Sequence, residues 1–172
     1  VSILRNFSKS APFEVKIYEN QENLGFVKNF QKAMRLCSGD VIFLSDQDDV
    51  WFESKLLEVA KTFSDNPDLV VVVNDQLIAD YELRNSGATT LGNVRRLGYP
   101  DSWYVQGCCT AFRKEWLEIT DPVPDGIKGH DMWLNELANL LRLRVVVRRP
   151  PMVAGTREKA IWNRRRCARR IV

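Results

Sequence analysis

The sequence has few of the residues that mark secreted or zinc-binding proteins. It contains four cysteines and one histidine in 172 residues, and no Cys-x-x-Cys pair. Structural zinc sites need closely spaced Cys and His ligands, and small secreted domains carry much denser cysteine. The sequence therefore argues against both, and we expect all four thiols to be reduced and mostly buried.

Long hydrophobic runs are also missing. No apolar stretch approaches the roughly 20 residues that span a bilayer, and residues 1–10 lack the charged-then-apolar pattern of a secretory signal. Hydrophobic residues make up 45% of the chain and charged residues 27%, as in ordinary globular domains. These features predict a single cytoplasmic domain over residues 1–172.

Acidic residues are scarce at the C-terminal end. Residues 142–172 carry 11 basic side chains and one acidic one, although the net charge of the whole chain is only +3. A basic tail on an acidic body predicts an anionic partner, either a membrane surface or nucleic acid. Little aromatic interleaving beyond Trp162 argues against nucleic acid. A solvated tail without a partner is the alternative.

Short apolar strands alternate with amphipathic helices along the chain. Apolar spacing predicts helices over residues 26–37, 53–63, 115–119 and 131–141. Strands are predicted over residues 15–18, 41–44, 69–73, 105–112 and 144–148. The stretch 80–102 is predicted to be irregular. This alternation of strands and helices predicts an α/β fold with a mostly parallel sheet flanked by helices.

An acidic run at residues 46–49 follows the predicted strand 41–44 directly. Ligands of open α/β sheets bind beyond the carboxyl ends of the strands. In an extended segment, residues two apart face the same way, so Asp46 and Asp48 would converge and Asp49 would face elsewhere. Converging carboxylates repel each other unless a cation joins them, and hard divalent ions prefer oxygen ligands. The run therefore predicts a metal–diphosphate site.

Helix capping is the alternative for this run. Asp48 or Asp49 could accept backbone N–H bonds at the start of the predicted helix 53–63, where the helix dipole favours an anion. Capping accounts for one acid, but not for three acids within four residues.

Four segments carry a resemblance to a known family. They are Asn-Leu-Gly-Phe-Val-Lys-Asn-Phe at residues 23–30, Phe-Leu-Ser-Asp-Gln-Asp-Asp-Val-Trp at 43–51, Gln-Gly-Cys-Cys-Thr-Ala-Phe at 106–112 and His-Asp-Met-Trp at 130–133. In this order, and with Ser-Gly-Asp at residues 38–40, they resemble the family 2 glycosyltransferases. The resemblance is greatest to the rhamnosyltransferase-type members that build bacterial surface polysaccharides.

The resemblance implies a GT-A fold, in which a Rossmann-like sheet binds a nucleoside diphosphate sugar. Asp46 and Asp48 match the DxD motif that holds Mg²⁺ or Mn²⁺ against the donor diphosphate. Asp131 matches the acid expected to take the proton from the acceptor hydroxyl. In the family this chemistry inverts the anomeric centre.

Further site residues follow from the same resemblance. The donor-binding set is Asn23, Gly25, Asn29, Asp46, Asp48 and Asp49, and the acceptor-side set is Trp51, Gly107, His130 and Trp133. Five of them have a structural alternative. Gly25 would then be a helix-entry glycine, Asn29 a local hydrogen-bonding group and His130 a packed side chain, while the tryptophans would be core or wall residues.

Two departures from the family pattern have consequences. The chain begins after the family's first strands, since residues 1–7 resemble the helix that follows them. A sheet lacking its middle would expose backbone and apolar surface, so we expect a homodimer to cover that edge. The family's late Tyr-Arg-x-His segment corresponds to residues 153–158, which contain no His. We therefore expect fewer protein ligands to the metal, and Arg157 to contact phosphate.

The resulting hypothesis is an inverting transferase. It would move a rhamnose-like sugar from a nucleoside diphosphate to a glycan or lipid-linked acceptor. Residues 1–80 would form a partial donor-binding half, residues 81–150 the acceptor-side half, and residues 151–172 a basic tail in peripheral contact with the inner membrane. A non-catalytic remnant that serves as a dimerisation module is the alternative. An anion or nucleic-acid binder is the third hypothesis.

Overall fold

The structure is a computed structural model that describes residues 2–47, 49–80, 82–148 and 152–155. The chain divides into two compact units, Val1–Cys37 with Ala160–Val172, and Ser38–Lys159. The basic tail predicted over residues 151–172, including Arg157, lies outside the described residues except for residues 152–155. In the part of the chain described, no helix is both long and apolar enough to cross a membrane.

The described part of the first unit contains two helices, α1 (Ser2–Ser8) and α2 (Gly25–Leu36). Asn23 Oδ1 accepts the backbone N–H of Gly25 at 2.8 Å, and Gly25 has a φ of 71°. This left-handed conformation suits glycine and turns the chain into α2. The strand predicted at residues 15–18 is wrong, because no strand in the described part of the chain pairs with it.

The second unit contains the described strands and four further helices. The strands are β1 (Val41–Phe43), β2 (Asp49–Trp51), β3 (Val71–Asn74), β4 (Leu77–Ala79), β5 (Asn85–Thr89), β6 (Thr110–Arg113), β7 (Arg144–Val147) and β8 (Met152–Gly155). The helices are α3 (Lys55–Asp65), α4 (Thr90–Arg96), α5 (Leu117–Thr120) and α6 (His130–Leu140).

The central sheet has the strand order β1–β6–β3–β7. β6 pairs antiparallel with both β1 and β3, and β3 pairs parallel with β7. Three of the four strands thus run in one direction, as expected for an α/β sheet, and β6 runs against them. Val71, Val72 and Val73 of β3 are fully buried, which explains why this strand is a continuous apolar run.

A second sheet has the strand order β2–β8–β4–β5. Its strand β5, together with α4, occupies much of the stretch that was predicted to be irregular, so that prediction is wrong. β5 is polar and pairs antiparallel with β4 through an irregular register. The Thr89 hydroxyl then caps α4 by accepting the backbone N–H of Gly92 at 2.9 Å.

Helix α3 packs on one side of the central sheet. Val59 and Phe63 of α3 form a buried cluster with Val72 of β3 and Ala111 of β6. Burying side chains of this size contributes about 1.5–3 kcal/mol each. The cluster joins α3 to both central strands and so fixes the position at which this helix begins.

A buried polar linkage joins β7, α6 and β6. Arg144 Nε donates to Asn135 Oδ1 at 2.7 Å, and Asn135 Nδ2 donates to Thr110 Oγ1 at 3.0 Å. The Arg144 guanidinium also donates to the carbonyls of Ser102 and Tyr104, which precede β6. Burial lowers the pKa of Arg144 to about 10, so this cation depends on its partners.

Replacing Asn135 with alanine should destabilise the domain by about 2 kcal/mol. The substitution removes the side-chain acceptor of a half-buried guanidinium and the donor to Thr110. Asn139→Ala is the matched control, because Asn139 is exposed on the same helix. Urea unfolding measures both variants, and equal free energies of unfolding would contradict the structural role of Asn135.

Candidate active site

The acidic run lies where the chain leaves the central sheet. Leu44 is buried, and its N–H donates to Thr110 O at 3.0 Å, which extends the pairing of β1 by one residue. The chain then turns near Gln47 and enters β2 at Asp49. The acids therefore stand beyond the carboxyl end of β1, as predicted.

Two carboxylates and one thiol converge at this point. Ligand atoms of Asp46, Asp49 and Cys108 all lie within 4.8 Å of one another. The prediction that Asp49 faces away from Asp46 is therefore wrong. The segment turns instead of remaining extended, so residues three apart meet. Asp48, the second predicted metal ligand, lies outside the described residues.

The thiol belongs to a short 3₁₀ turn, Gly107–Cys109, that leads into β6. Both Cys108 Sγ and Cys109 Sγ donate to Gln76 Oε1, at 3.5 and 3.3 Å. The contact with Cys109, together with burial, raises the pKa of Cys108 well above its usual range. Cys108 therefore stays a neutral thiol, in agreement with the expectation of a reduced and buried thiol.

The oxygen donors at this cluster suit a hard divalent cation. A protonated thiol is a poor ligand for Mg²⁺ or Mn²⁺, whereas carboxylate oxygens are the ligands that these ions prefer. Asp46 and Asp49 supply two such groups at compatible separation. The chain's own donors thus fit the predicted metal, with Asp49 in a position expected of Asp48.

Asp131 lies against Gly107, the first residue of the Gly107–Cys109 turn. A Cβ built on Gly107 would stand 3.2 Å from Asp131 Oδ2, and one built on Gly129 would stand 2.5 Å from Asp131 Oδ1. A side chain at either position would therefore displace the carboxylate from this place. Gly107, predicted to lie on the acceptor side, is thus close to Asp131 of the chain itself. Gly129 carried no such signal in the sequence.

His130 precedes Asp131 and is buried. Burial lowers its pKa, and the neighbouring Asp131 acts in the opposite direction. The imidazole is therefore neutral at physiological pH. This burial favours the alternative that His130 is a packed side chain.

The two candidate tryptophans are both partly buried against the domain. The Trp51 ring contacts Phe43 at a centroid distance of 5.9 Å, and the Lys55 ammonium lies 3.8 Å from its centroid. Trp133 Nε1 donates to Thr120 O at 2.9 Å. These contacts favour a wall or core role over sugar stacking.

Lys55 is a component of the site that the sequence analysis missed. Its side chain is only 1% exposed, and Nζ donates to the carbonyl of Cys108 at 2.9 Å. Burial lowers the pKa of Lys55 to about 8, although Cys109, Cys108 and Asp49 act to raise it. A lysine at the first residue of a helix opposes the helix dipole, and this unfavourable placement is the signal that could have identified it.

The remaining donor-binding candidates lie in the first unit. Asn29 Oδ1 accepts from Asn20 Nδ2 at 2.6 Å, and Asn23 forms the turn to Gly25 described above. All three therefore have local structural roles. Their part in donor binding stays a prediction.

The buried Lys55 should make stability depend on alkaline pH. Its native pKa lies below the unfolded value of 10.5, so between these values the unfolded chain holds a proton that the native chain has lost. Raising the pH from 7 to about 9.5 should thus stabilise the protein by about 2 kcal/mol relative to Lys55→Met.

Lys61→Met is the control, since Lys61 is exposed on the same helix. Urea unfolding at both pH values measures each variant against the unsubstituted protein. A difference for Lys55→Met that is the same at both pH values would contradict the buried ammonium.

Comparisons with known proteins bear on the identity of the chain. No curated protein matches it. Among solved structures it is similar to the mannosyltransferase PcManGT from Pyrobaculum calidifontis, solved in complex with GDP-Man and Mn²⁺. The TM-score is 0.64 at 19% identity, over 90% of this chain and 43% of that one, so this chain spans less than half of that protein.

This similarity confirms the expected α/β fold of the GT-A type. The sequence profile described as Glycosyl transferase family 2 matches residues 1–120, which is more than half of the chain. The chain therefore belongs to glycosyl transferase family 2.

Proposed function

We propose that this chain forms the catalytic part of an inverting glycosyltransferase that uses a nucleoside diphosphate sugar and Mg²⁺ or Mn²⁺. One observation carries the proposal. The Asp46 and Asp49 carboxylates lie near Cys108, and the Asp131 carboxylate lies against Gly107, the neighbouring residue of the same turn. Metal ligands and a general base are thus held by adjacent residues of one rigid segment.

The acids beyond β1 would hold the donor diphosphate through the metal. Asp46 and Asp49 converge, and Asp48 completes the run. A bound divalent ion neutralises charge on the leaving diphosphate. The similar mannosyltransferase was solved with GDP-Man and Mn²⁺, which supports a nucleotide sugar and a divalent ion as the ligands.

Asp131 would act as the general base. The acceptor hydroxyl loses its proton to the carboxylate while its oxygen bonds to the anomeric carbon, and the bond from that carbon to the diphosphate breaks. Attack from the face opposite the leaving group inverts the anomeric centre. Gly107 and Gly129 have no side chains and so leave room for the carboxylate in this position.

The finer assignments rest on the motif resemblance. They are a rhamnose-like sugar, a glycan or lipid-linked acceptor in surface polysaccharide synthesis, a homodimer, and a cytoplasmic site of action. Asn23, Gly25 and Asn29 would contribute to the nucleoside end of the donor site, and His130 would support the acceptor side from behind Asp131.

Nucleoside diphosphates should bind in a metal-dependent manner. Calorimetric titration with GDP, UDP and dTDP in the presence of Mn²⁺ should give binding by at least one of them. Asp46→Asn should weaken it by about tenfold or more, because a carboxylate ligand is lost. Asp68→Asn, an exposed acid in the same unit, should leave the affinity unchanged. Absence of binding by every nucleotide would favour the non-catalytic remnant.

Removal of the Asp131 carboxylate should impair turnover and spare donor binding. For Asp131→Asn we expect kcat for transfer, or for slow donor hydrolysis by water, to fall by about 10²–10⁴. The affinity for the nucleoside diphosphate should stay within about twofold. Glu136→Gln, an exposed acid on the same helix, is the control. Full turnover by Asp131→Asn would eliminate the proposed base.

A further inference from the structure

Two aromatic side chains form an exposed pair on the second unit. The rings of Tyr99 and Trp103 stack at a centroid distance of 4.7 Å with an interplanar angle of 12°. Trp103 is 66% exposed and Tyr99 is 45% exposed. Each ring uses one face against the other, so the outer face of Trp103 is open to solvent.

Short backbone turns hold this pair in place. Gly98 has a φ of 82° and ends α4, where its N–H donates to Arg95 O at 2.9 Å. The N–H of Tyr99 donates to Val94 O at 3.2 Å, and that of Trp103 donates to Pro100 O at 3.0 Å. The aromatic pair is therefore a preorganised surface.

Ion pairs to Asp101 stabilise the same loop. Arg95 donates to both carboxylate oxygens of Asp101, at 2.7 and 2.6 Å, and Arg148 approaches Asp101 at 3.5 Å. Hydrogen bonding to Arg95 lowers the pKa of Asp101, so the carboxylate is ionised at neutral pH. Fixed donors and an acceptor thus lie next to the aromatic pair.

The pair is connected rigidly to the candidate base. Tyr104, which follows Trp103, is buried and donates its hydroxyl to Asn74 O at 3.1 Å. Gly107 lies four positions after Trp103, so their Cα atoms are at most about 14 Å apart. Gly107 in turn lies against the Asp131 carboxylate.

We propose that Tyr99 and Trp103 form a stacking platform for a pyranose ring of a glycan acceptor. This proposal rests on the proposed function. It implies that the acceptor is a glycan with at least one sugar beyond the one that carries the reacting hydroxyl. The C–H face of a pyranose packs on an aromatic face, while its hydroxyls hydrogen-bond to charged groups such as Asp101 and Arg148. Trp51 and Trp133 are packed into the domain, whereas Trp103 offers a free ring face.

Hydrogen-bonding complementarity favours a glycan over a lipid surface. The Asp101 carboxylate lies within the loop that carries the rings and places an acceptor beside the donors of Arg95 and Arg148, whereas an anionic headgroup could pair only with the arginines. Neutral sugar hydroxyls can both donate to this carboxylate and accept from the arginines. Exposed Leu97 extends the apolar surface beside the pair.

Saturation-transfer NMR with simple glycosides tests the platform directly. The probes are methyl rhamnoside, glucoside, galactoside and mannoside, each at high millimolar concentration with the complete chain. At least one should receive saturation mainly at the C–H protons of one ring face. The signal should fall about fivefold or more in Trp103→Ala and in Tyr99→Ala, and persist in Trp103→Tyr.

Leu140→Ala is the matched control, because Leu140 is an exposed apolar residue elsewhere on the unit. It should leave the glycoside signal unchanged. If no glycoside gives a signal that depends on Trp103, the proposal is overturned. It is equally overturned if Trp103 controls binding to phosphatidylglycerol vesicles, or self-association, and not binding to glycosides.

The experiments distinguish a failure of the stacking platform from a failure of the proposed transferase function. Trp103→Ala should leave Mn²⁺-dependent nucleotide binding unchanged, because the proposed metal ligands Asp46 and Asp49 are grouped around Cys108. If the unsubstituted chain binds glycosides but no nucleotide, the transferase proposal is overturned and a carbohydrate-binding surface remains.

Discussion

The antiparallel insertion of β6 between β1 and β3 is the constraint on which the candidate site depends. Because β6 runs against its neighbours, its first residue, Thr110, lies beside the carboxyl ends of both. The turn Gly107–Cys109 is thereby brought to the edge where the acids leave β1. An all-parallel arrangement would carry the start of β6 to the opposite edge of the sheet.

The same insertion explains the buried polar groups around the turn. Asp75 and Gln76 leave β3 at this edge, where Asp75 Oδ1 accepts the N–H groups of Gln76 and Leu91. Gln76 Oε1 accepts from the two thiols of the turn, and Lys55 donates to a carbonyl of the same turn. Such satisfied networks fix backbone positions that an apolar core would leave less specified. The turn is thus held from several sides before any ligand arrives.

Local periodicity predicted those elements whose stability comes from one apolar face or from complete burial. Helix α2 and strand β3 carry these patterns clearly, and both lie within two residues of their predicted bounds. Strand β5 could not be predicted this way. Its residues are polar and include Gly87, and it is a strand because β4 pairs with it. Pairing between distant segments leaves no local signature.

The candidate site was predictable in its residue types and only partly in its geometry. The acid-rich segment after β1 signalled oxygen ligands, but the turn near Gln47 decides that Asp49 meets Asp46. Lys55 joined the site through the tertiary position of α3, which depends on the packing of Val59 and Phe63. The exposed position of Trp103 could not be predicted either, because sequence composition does not distinguish an aromatic ring at the surface from one in the core.

Gly129 is required by the side chain of a neighbouring residue and not by its own backbone. Its φ of −150° is one that any residue can adopt, so the backbone itself makes no demand for glycine. The demand comes from the Asp131 carboxylate, which fills the space of a side chain. A larger residue at position 129 would displace the Asp131 carboxylate, so the glycine and the place of that carboxylate depend on each other. In a related chain, a larger residue at this position would indicate that the carboxylate lies elsewhere.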